Sequence, residues 1–245
     1  MVKIFALPAN EGDFIWIAYG DNEVYSHILI DGGTDEWGEE YASIINIIDE
    51  RKEKIEALVL THVDYDHIQG ALEGICRISN DILDRTVKRI YFNTYQGIHR
   101  NLKGTGEILE SSVCVEDQIR VNQNYEEYGI KDGIKFGELL SEKGLKDRLV
   151  DYVVYGQHAA LPNGAAIRFI SPGEKELIKF ANEWEKYEKE NEYVQYASNL
   201  EMVKKNLVDL MQEKLLSDSS PNNASSIAFI FEYHSIKLAF LVSAK

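Results

Sequence analysis

Hydrophobic positions along this chain change their period repeatedly, and each change predicts an element. Ile4, Phe5 and Leu7, then the run from Phe14 to Tyr19, then the run from Val24 to Ile30, predict strands at 3–7, 14–19 and 24–30. The turns between them are Pro8 to Asp13 and Gly20-Asp21-Asn22. Tyr41, Ile44, Ile45, Ile47 and Ile48 follow helical spacing, ending near Arg51-Lys52-Glu53. Residues 55–60 are an apolar run of the kind that forms a buried strand, and Ile68, Ala71, Leu72, Ile75 and Ile78 return to helical spacing. Further strands are predicted at 87–93, 151–155 and 165–170, and a helix at 134–146. Residues 95–131 are poorly patterned and read as loop with a partial helix near 107–111, and Gln157 to Gly164 reads as a loop. Residues 174–216 read as one or two amphipathic helices, packed on the sheet or lying over a site. A polar break then leads into a hairpin, 225–233 and 236–241, turning at His234-Ser235.

Strand, helix, strand succession of this kind predicts an α/β domain. The 245 residues suffice for one domain with a sizeable core, and no linker or short repeat divides them. No apolar run is long enough to span a bilayer, and Met1-Val2-Lys3 leads straight into a strand pattern. Cys76 and Cys114 are the two cysteines, too few for a disulfide framework, so the expected home is a reducing cytoplasm. The formal net charge of −15 argues against general affinity for a nucleic-acid backbone.

Candidate chemistry is concentrated in Thr61-His62-Val63-Asp64-Tyr65-Asp66-His67, between the predicted strand at 55–60 and the helix that follows. Sites in α/β proteins usually lie at such carboxyl ends of strands. On extended backbone His62 and Asp64 can point the same way, while Asp66 and His67 can diverge toward a second point. Imidazole nitrogen and carboxylate oxygen both bind zinc, manganese and iron. Two such pairs suit two ions roughly 3.5–4 Å apart, the arrangement that activates a water and clamps a leaving oxygen.

The stretch resembles the Thr-His-x-His-x-Asp-His-x-Gly-Gly signature of metallo-β-lactamase fold hydrolases, in a His-x-Asp-x-Asp-His variant with Asp64 at the second His and Gln69 at the first Gly. Asp31-Gly32-Gly33 resembles the family's second signature, which gives Asp31 the role of supporting the metal loop. Gly12-Asp13 before an apolar run, Ile170-Ser171-Pro172 and the Asn-x-x-Ser lead-in to the last hairpin resemble the hydrolase domain of competence proteins. The resemblance implies a four-layer αββα sandwich over residues 1–245, with a helical insertion at about 174–216. It implies one or two divalent ions, zinc or manganese or iron, held by His62, Asp64, Asp66 and His67, with Asp66 also deprotonating the attacking water. It implies a metal-dependent hydrolase acting on a small molecule, a phosphodiester being the first expectation. His158, the mid-chain candidate for a further ligand, reads as a loop histidine, and His27 and His99 are weaker candidates. The family's bridging Asp and last His have no counterpart: Val242-Ser243 stand at the matching positions. The expectation is therefore a fold missing its last strand and helix, through truncation or through degeneration into a binding or regulatory domain. An unpaired sheet edge would then favour a homodimer.

Overall fold

The computed structural model describes residues 1–10, 12–21, 24–102, 123–194 and 221–241. A six-stranded sheet takes its strands in chain order: β1 (Val2–Ala6), β2 (Ile15–Asp21), β3 (Val24–Ile30), β4 (Lys54–Val59), β5 (Ile90–Tyr91) and β6 (Leu149–Val150). β1, β2 and β3 pair antiparallel, and β3 to β6 pair parallel. A second, antiparallel sheet has the order β10-β9-β8-β7, from β7 (His158–Ala160), β8 (Ala166–Ser171), β9 (Ala228–Tyr233) and β10 (Ile236–Phe240).

The parallel strands are apolar on both faces because both faces are covered. Ile28, Ile30, Ala57 and Val59 face the second sheet and meet Ile167, Phe169, Phe229 and Phe231. Leu29, Ile55 and Leu58 face the helices instead. Those helices are α1 (Gly38–Glu50), α2 (Tyr65–Arg77), α3 (Asn80–Thr86), α4 (Tyr95–Leu102), α5 (Gln123–Glu142) and α6 (Glu174–Val194), with a short α7 (Pro221–Ala224) before β9. Each of the longer ones buries a stripe at helical spacing: Tyr41, Ile44, Ile45 and Ile48 on α1, and Leu177, Phe180, Ala181 and Trp184 on α6. Trimming a fully buried member such as Ile45 to alanine leaves a cavity worth about 2–5 kcal/mol.

Helices, sheet and sheet are thus three successive layers among the described residues. No described helix contributes to the core between the sheets, and the outer side of β8–β10 carries the ion-paired Arg168, Glu232 and Lys237. The first half of α6 is packed in the core shared by the helices and the six-stranded sheet. The expected partial helix near 107–111, residues 195–216 of the expected insertion, Cys114 and Val242-Ser243 lie outside the described residues.

Several boundaries differ from expectation. The strand at 87–93 contracts to β5; at its far end Asn93 bonds the backbone N–H and C=O of Val153 with its side chain in place of further ladder. The helix predicted at 134–146 is α5, which ends at Glu142. His158 is in the edge strand β7, opposite Arg168, rather than in a loop. No helix among the described residues is long and apolar enough to cross a membrane.

Candidate metal centre

Three chain segments converge where β3 and β4 end. The first is Asp31-Gly32-Gly33, which leaves β3. Asp31 has φ +53, in the left-handed region that an Asp tolerates better than most residues. Its N–H still reaches the carbonyl of Val59, while its carboxylate turns under the next segment. The second segment is Thr61 to His67, which leaves β4 and enters α2. The two are pressed together: a Cβ on Gly70 would lie 1.9 Å from the carbonyl oxygen of Gly32. Half-exposed Gln69, one position earlier, has room for its side chain. The third segment is the loop before β2. A Cβ on Gly12 would lie 1.7 Å from the Asp66 carbonyl oxygen, and the Gly33 N–H donates to the Asp13 carbonyl.

Asp31 is fully buried, and its carboxylate organises the site. The Thr61 N–H donates to its Oδ1 at 2.7 Å, and the Thr61 hydroxyl donates to its Oδ2 at 2.7 Å. His67 Nδ1 lies 2.8 Å from the same Oδ2. The Thr61 hydroxyl has one proton, and the carboxylate takes it. At 2.9 Å from that oxygen, His62 Nδ1 must therefore be the donor. His67 Nδ1, facing a carboxylate, must donate as well. One buried acid thus sets the tautomer of both imidazoles and leaves the Nε2 atoms as the outward nitrogens. This is the arrangement that orients a metal-binding histidine through its other ring nitrogen.

Both Nε2 atoms point at acids. His62 Nε2 lies 3.5 Å from Asp64 Oδ2, and His67 Nε2 lies 3.8 Å from Asp66 Oδ2. The two rings are 4.0 Å apart between centroids, so the pairs adjoin. Asp64 holds the position before α2 where an Asp usually bonds the helix N–H groups, yet it makes no such cap. Forgoing a cap costs about 0.5–2 kcal/mol, a cost accepted when the side chain is directed elsewhere. Asp66 and His67 are in the first turn of α2 rather than in an irregular turn.

The compact ligand-type group is Asp13, Asp31 and His67, with one donor atom from each within 4.8 Å of the others. Asp13 carried no assigned chemistry in the sequence; its signal was the Gly12-Asp13 turn. His99, on α4 beside Tyr95, and His158, on β7, do not join this group. His27 has both ring nitrogens engaged, by Trp16 Nε1 and Glu53. Burial alone would lower the His67 pKa, but the charge and hydrogen bond of Asp31, with Asp66 and Asp13 behind it, push it up to about 9. At the rim the exposed Tyr65 hydroxyl donates to Asp35 at 2.6 Å, which pushes its pKa up to about 12.

A family model described as the metallo-beta-lactamase superfamily matches residues 21–83. The matched stretch runs from the end of β2 to α3 and contains both Asp31-Gly32-Gly33 and the Thr61–His67 loop. No curated protein matches the chain. The match suggests metal-dependent hydrolysis, and the donor set fits a divalent cation: two imidazoles with Nδ1 engaged and Nε2 outward, each facing a carboxylate.

Proposed function

We propose that this protein is a metal-dependent hydrolase whose site is His62, Asp64, Asp66 and His67, supported from beneath by Asp31. The observation that carries the reading is the fixing of His67 by the buried Asp31 carboxylate and of His62 through the Thr61 hydroxyl bonded to that same carboxylate, with Nε2 outward on each ring. His62 and Asp64 would hold one cation, and His67 and Asp66 would contribute to a second. When bound, a divalent cation lowers the pKa of a water toward neutrality and draws electron density from a leaving oxygen. The half-exposed Asp66 carboxylate can accept the proton given up by the attacking water. Asp31 keeps the rings from rotating and is too enclosed to meet substrate.

Carboxylates make the donor set harder than an all-imidazole one, which favours manganese or iron alongside zinc. The substrate in this reading is a phosphodiester, supported by the resemblance of the amino-terminal turn and the last hairpin to competence-type hydrolase domains. The cations would carry the positive charge that such a substrate needs in an acidic surrounding. The test is turnover of a chromogenic bis-aryl phosphodiester with added manganese or zinc. Turnover by the wild type, with loss of at least about a hundredfold in His62→Ala and Asp66→Ala, supports the reading. Equal background in all three proteins would sink it.

A further inference from the structure

Asp31 belongs to the compact group of three, yet its oxygens are already taken by the Thr61 N–H, the Thr61 hydroxyl and His67 Nδ1. Asp13 differs. Its carboxylate has no hydrogen-bond partner among the described residues, although the residue is half-buried and its backbone is held in place. The loop that carries it is pinned at both sides, by the Gly33 N–H on the Asp13 carbonyl and by the contact of Gly12 with the Asp66 backbone. A carboxylate on a loop held this firmly, with no hydrogen bond among the described residues and beside the Asp31 carboxylate and the His67 ring, is a poor arrangement for an empty site.

The second observation is on His67. Its side chain is nine-tenths buried, its Nδ1 is spent on Asp31, and its Nε2 makes no hydrogen bond among the described residues, with Asp66 Oδ2 at 3.8 Å. An inward-held imidazole with an open Nε2 points to a ligand rather than to a structural contact. One donor atom each of Asp13, Asp31 and His67 lies within 4.8 Å of the others, Asp66 Oδ2 is 3.8 Å from the open Nε2, and the Asp13 loop is seated on the Asp66 backbone through Gly12.

We infer that Asp13 is a direct ligand, through its carboxylate, of the divalent cation held by His67 and Asp66. The inference rests on the hydrolase reading above and adds a donor from the amino-terminal loop, outside the stretch that the family model matches. It makes the loop before β2 part of the centre and weights that cation site toward oxygen donors, hence toward manganese or iron.

The test uses the full chain stripped by chelator and titrated with manganese alone, free Mn²⁺ being read by electron paramagnetic resonance. Wild type, Asp13→Asn and His62→Ala are compared. Asp13→Asn keeps the shape and removes the charge; it is expected to weaken one equivalent by tenfold or more, with the metal-free melting temperature unchanged or raised. As a direct readout, Asp13→Cys in a Cys76→Ser, Cys114→Ser background is loaded with cobalt. A thiolate-to-cobalt charge-transfer band, absent when Asp13 is retained, is expected. Wild-type affinity in Asp13→Asn, or cobalt held by Asp13→Cys without that band, overturns the assignment. If His62→Ala loses manganese while Asp13→Asn does not, the hydrolase reading stands and only Asp13 is removed from it. A wild type that takes up neither manganese nor cobalt overturns both.

Discussion

Two buried histidine–carboxylate pairs, one with its histidine in β3 and one with its acid just after β3, differ in what the second ring nitrogen meets. His27 Nε2 lies 2.8 Å from Glu53, and His67 Nδ1 lies 2.8 Å from Asp31. All four side chains are at least nine-tenths buried. At His27 the other ring nitrogen accepts the indole N–H of Trp16 at 3.0 Å, and Glu53 also accepts the Tyr25 N–H. That ring is closed on both sides. At His67 the other nitrogen faces Asp66 across 3.8 Å, an ion-pair distance, and makes no hydrogen bond among the described residues. The pKa values move in opposite directions. Burial pulls His27 down, and Glu53 only partly offsets it. For His67 the acids around the ring outweigh burial. The lesson is that a short His–acid contact does not by itself separate a candidate ligand from a structural histidine; what the second ring nitrogen meets is the distinguishing geometry.

The largest effect should come from Asp31→Ala. It releases both imidazoles of the candidate centre at once, so manganese or zinc affinity should fall by about 10–100-fold. Breaking a buried pair while leaving one partner in place should also cost about 3–5 kcal/mol in denaturant unfolding. Unchanged metal affinity in that variant would break the comparison at its root. Next comes His27→Leu, which removes a ring bonded at both nitrogens. The loss expected is about 1–3 kcal/mol of stability, from stranding Glu53 and the Trp16 N–H. Metal affinity should stay within about twofold, and a larger drop would mean that the two regions are not separate. Trp16→Phe is milder, about 0.5–1.5 kcal/mol for one hydrogen bond, and it should let His27 accept a proton more readily.

The smallest effect is the dependence on pH, which separates the pairs by sign. His27 has a folded pKa below its unfolded value of about 6.5. The folded state therefore binds fewer protons, and this contribution is full above pH of about 6.5 and is lost as pH falls through the folded value. His67 is the reverse in the metal-free protein, with a folded pKa of about 9. Its contribution is full below pH of about 6.5 and is lost as pH rises through about 9. Urea midpoints of chelated protein should show His27→Leu removing part of the acid-side slope and His67→Gln removing part of the alkaline-side slope. The same slopes in both variants would show that the pairs do not differ in the way described.

Much of this was legible along the chain because it is local. The period changes located β3, α1, β4 and α2 to within a few residues, since burial on both faces of parallel strands and on one stripe of a helix leaves its own pattern. The side chains of Thr61 to His67 were readable for the same reason: residues within one turn of each other stay together in almost any fold. The role of Gly70 was implicit in the pattern, and the contact with Gly32 explains it. β5 was overestimated because Asn93 looks like a strand-end residue, and only its partner, Val153, shows that its amide replaces the ladder. The cluster around His67 set it apart from His27 along the chain, but what each ring is bonded to was illegible, because their partners Glu53 and Asp31 lie 26 and 36 positions away.

By itself, then, the sequence determined the elements, the α/β class and a dense patch of imidazole and carboxylate after one buried strand. The tertiary structure alone decided which nitrogen of each ring is spent, that Asp31 holds His67 directly and His62 through the Thr61 hydroxyl, and that Asp13 comes from another loop to lie beside Asp31 and His67. The division has a physical cause. Periodicity records which side of an element meets the core, whereas hydrogen-bond direction depends on which donor and acceptor the folded chain brings within about 3 Å.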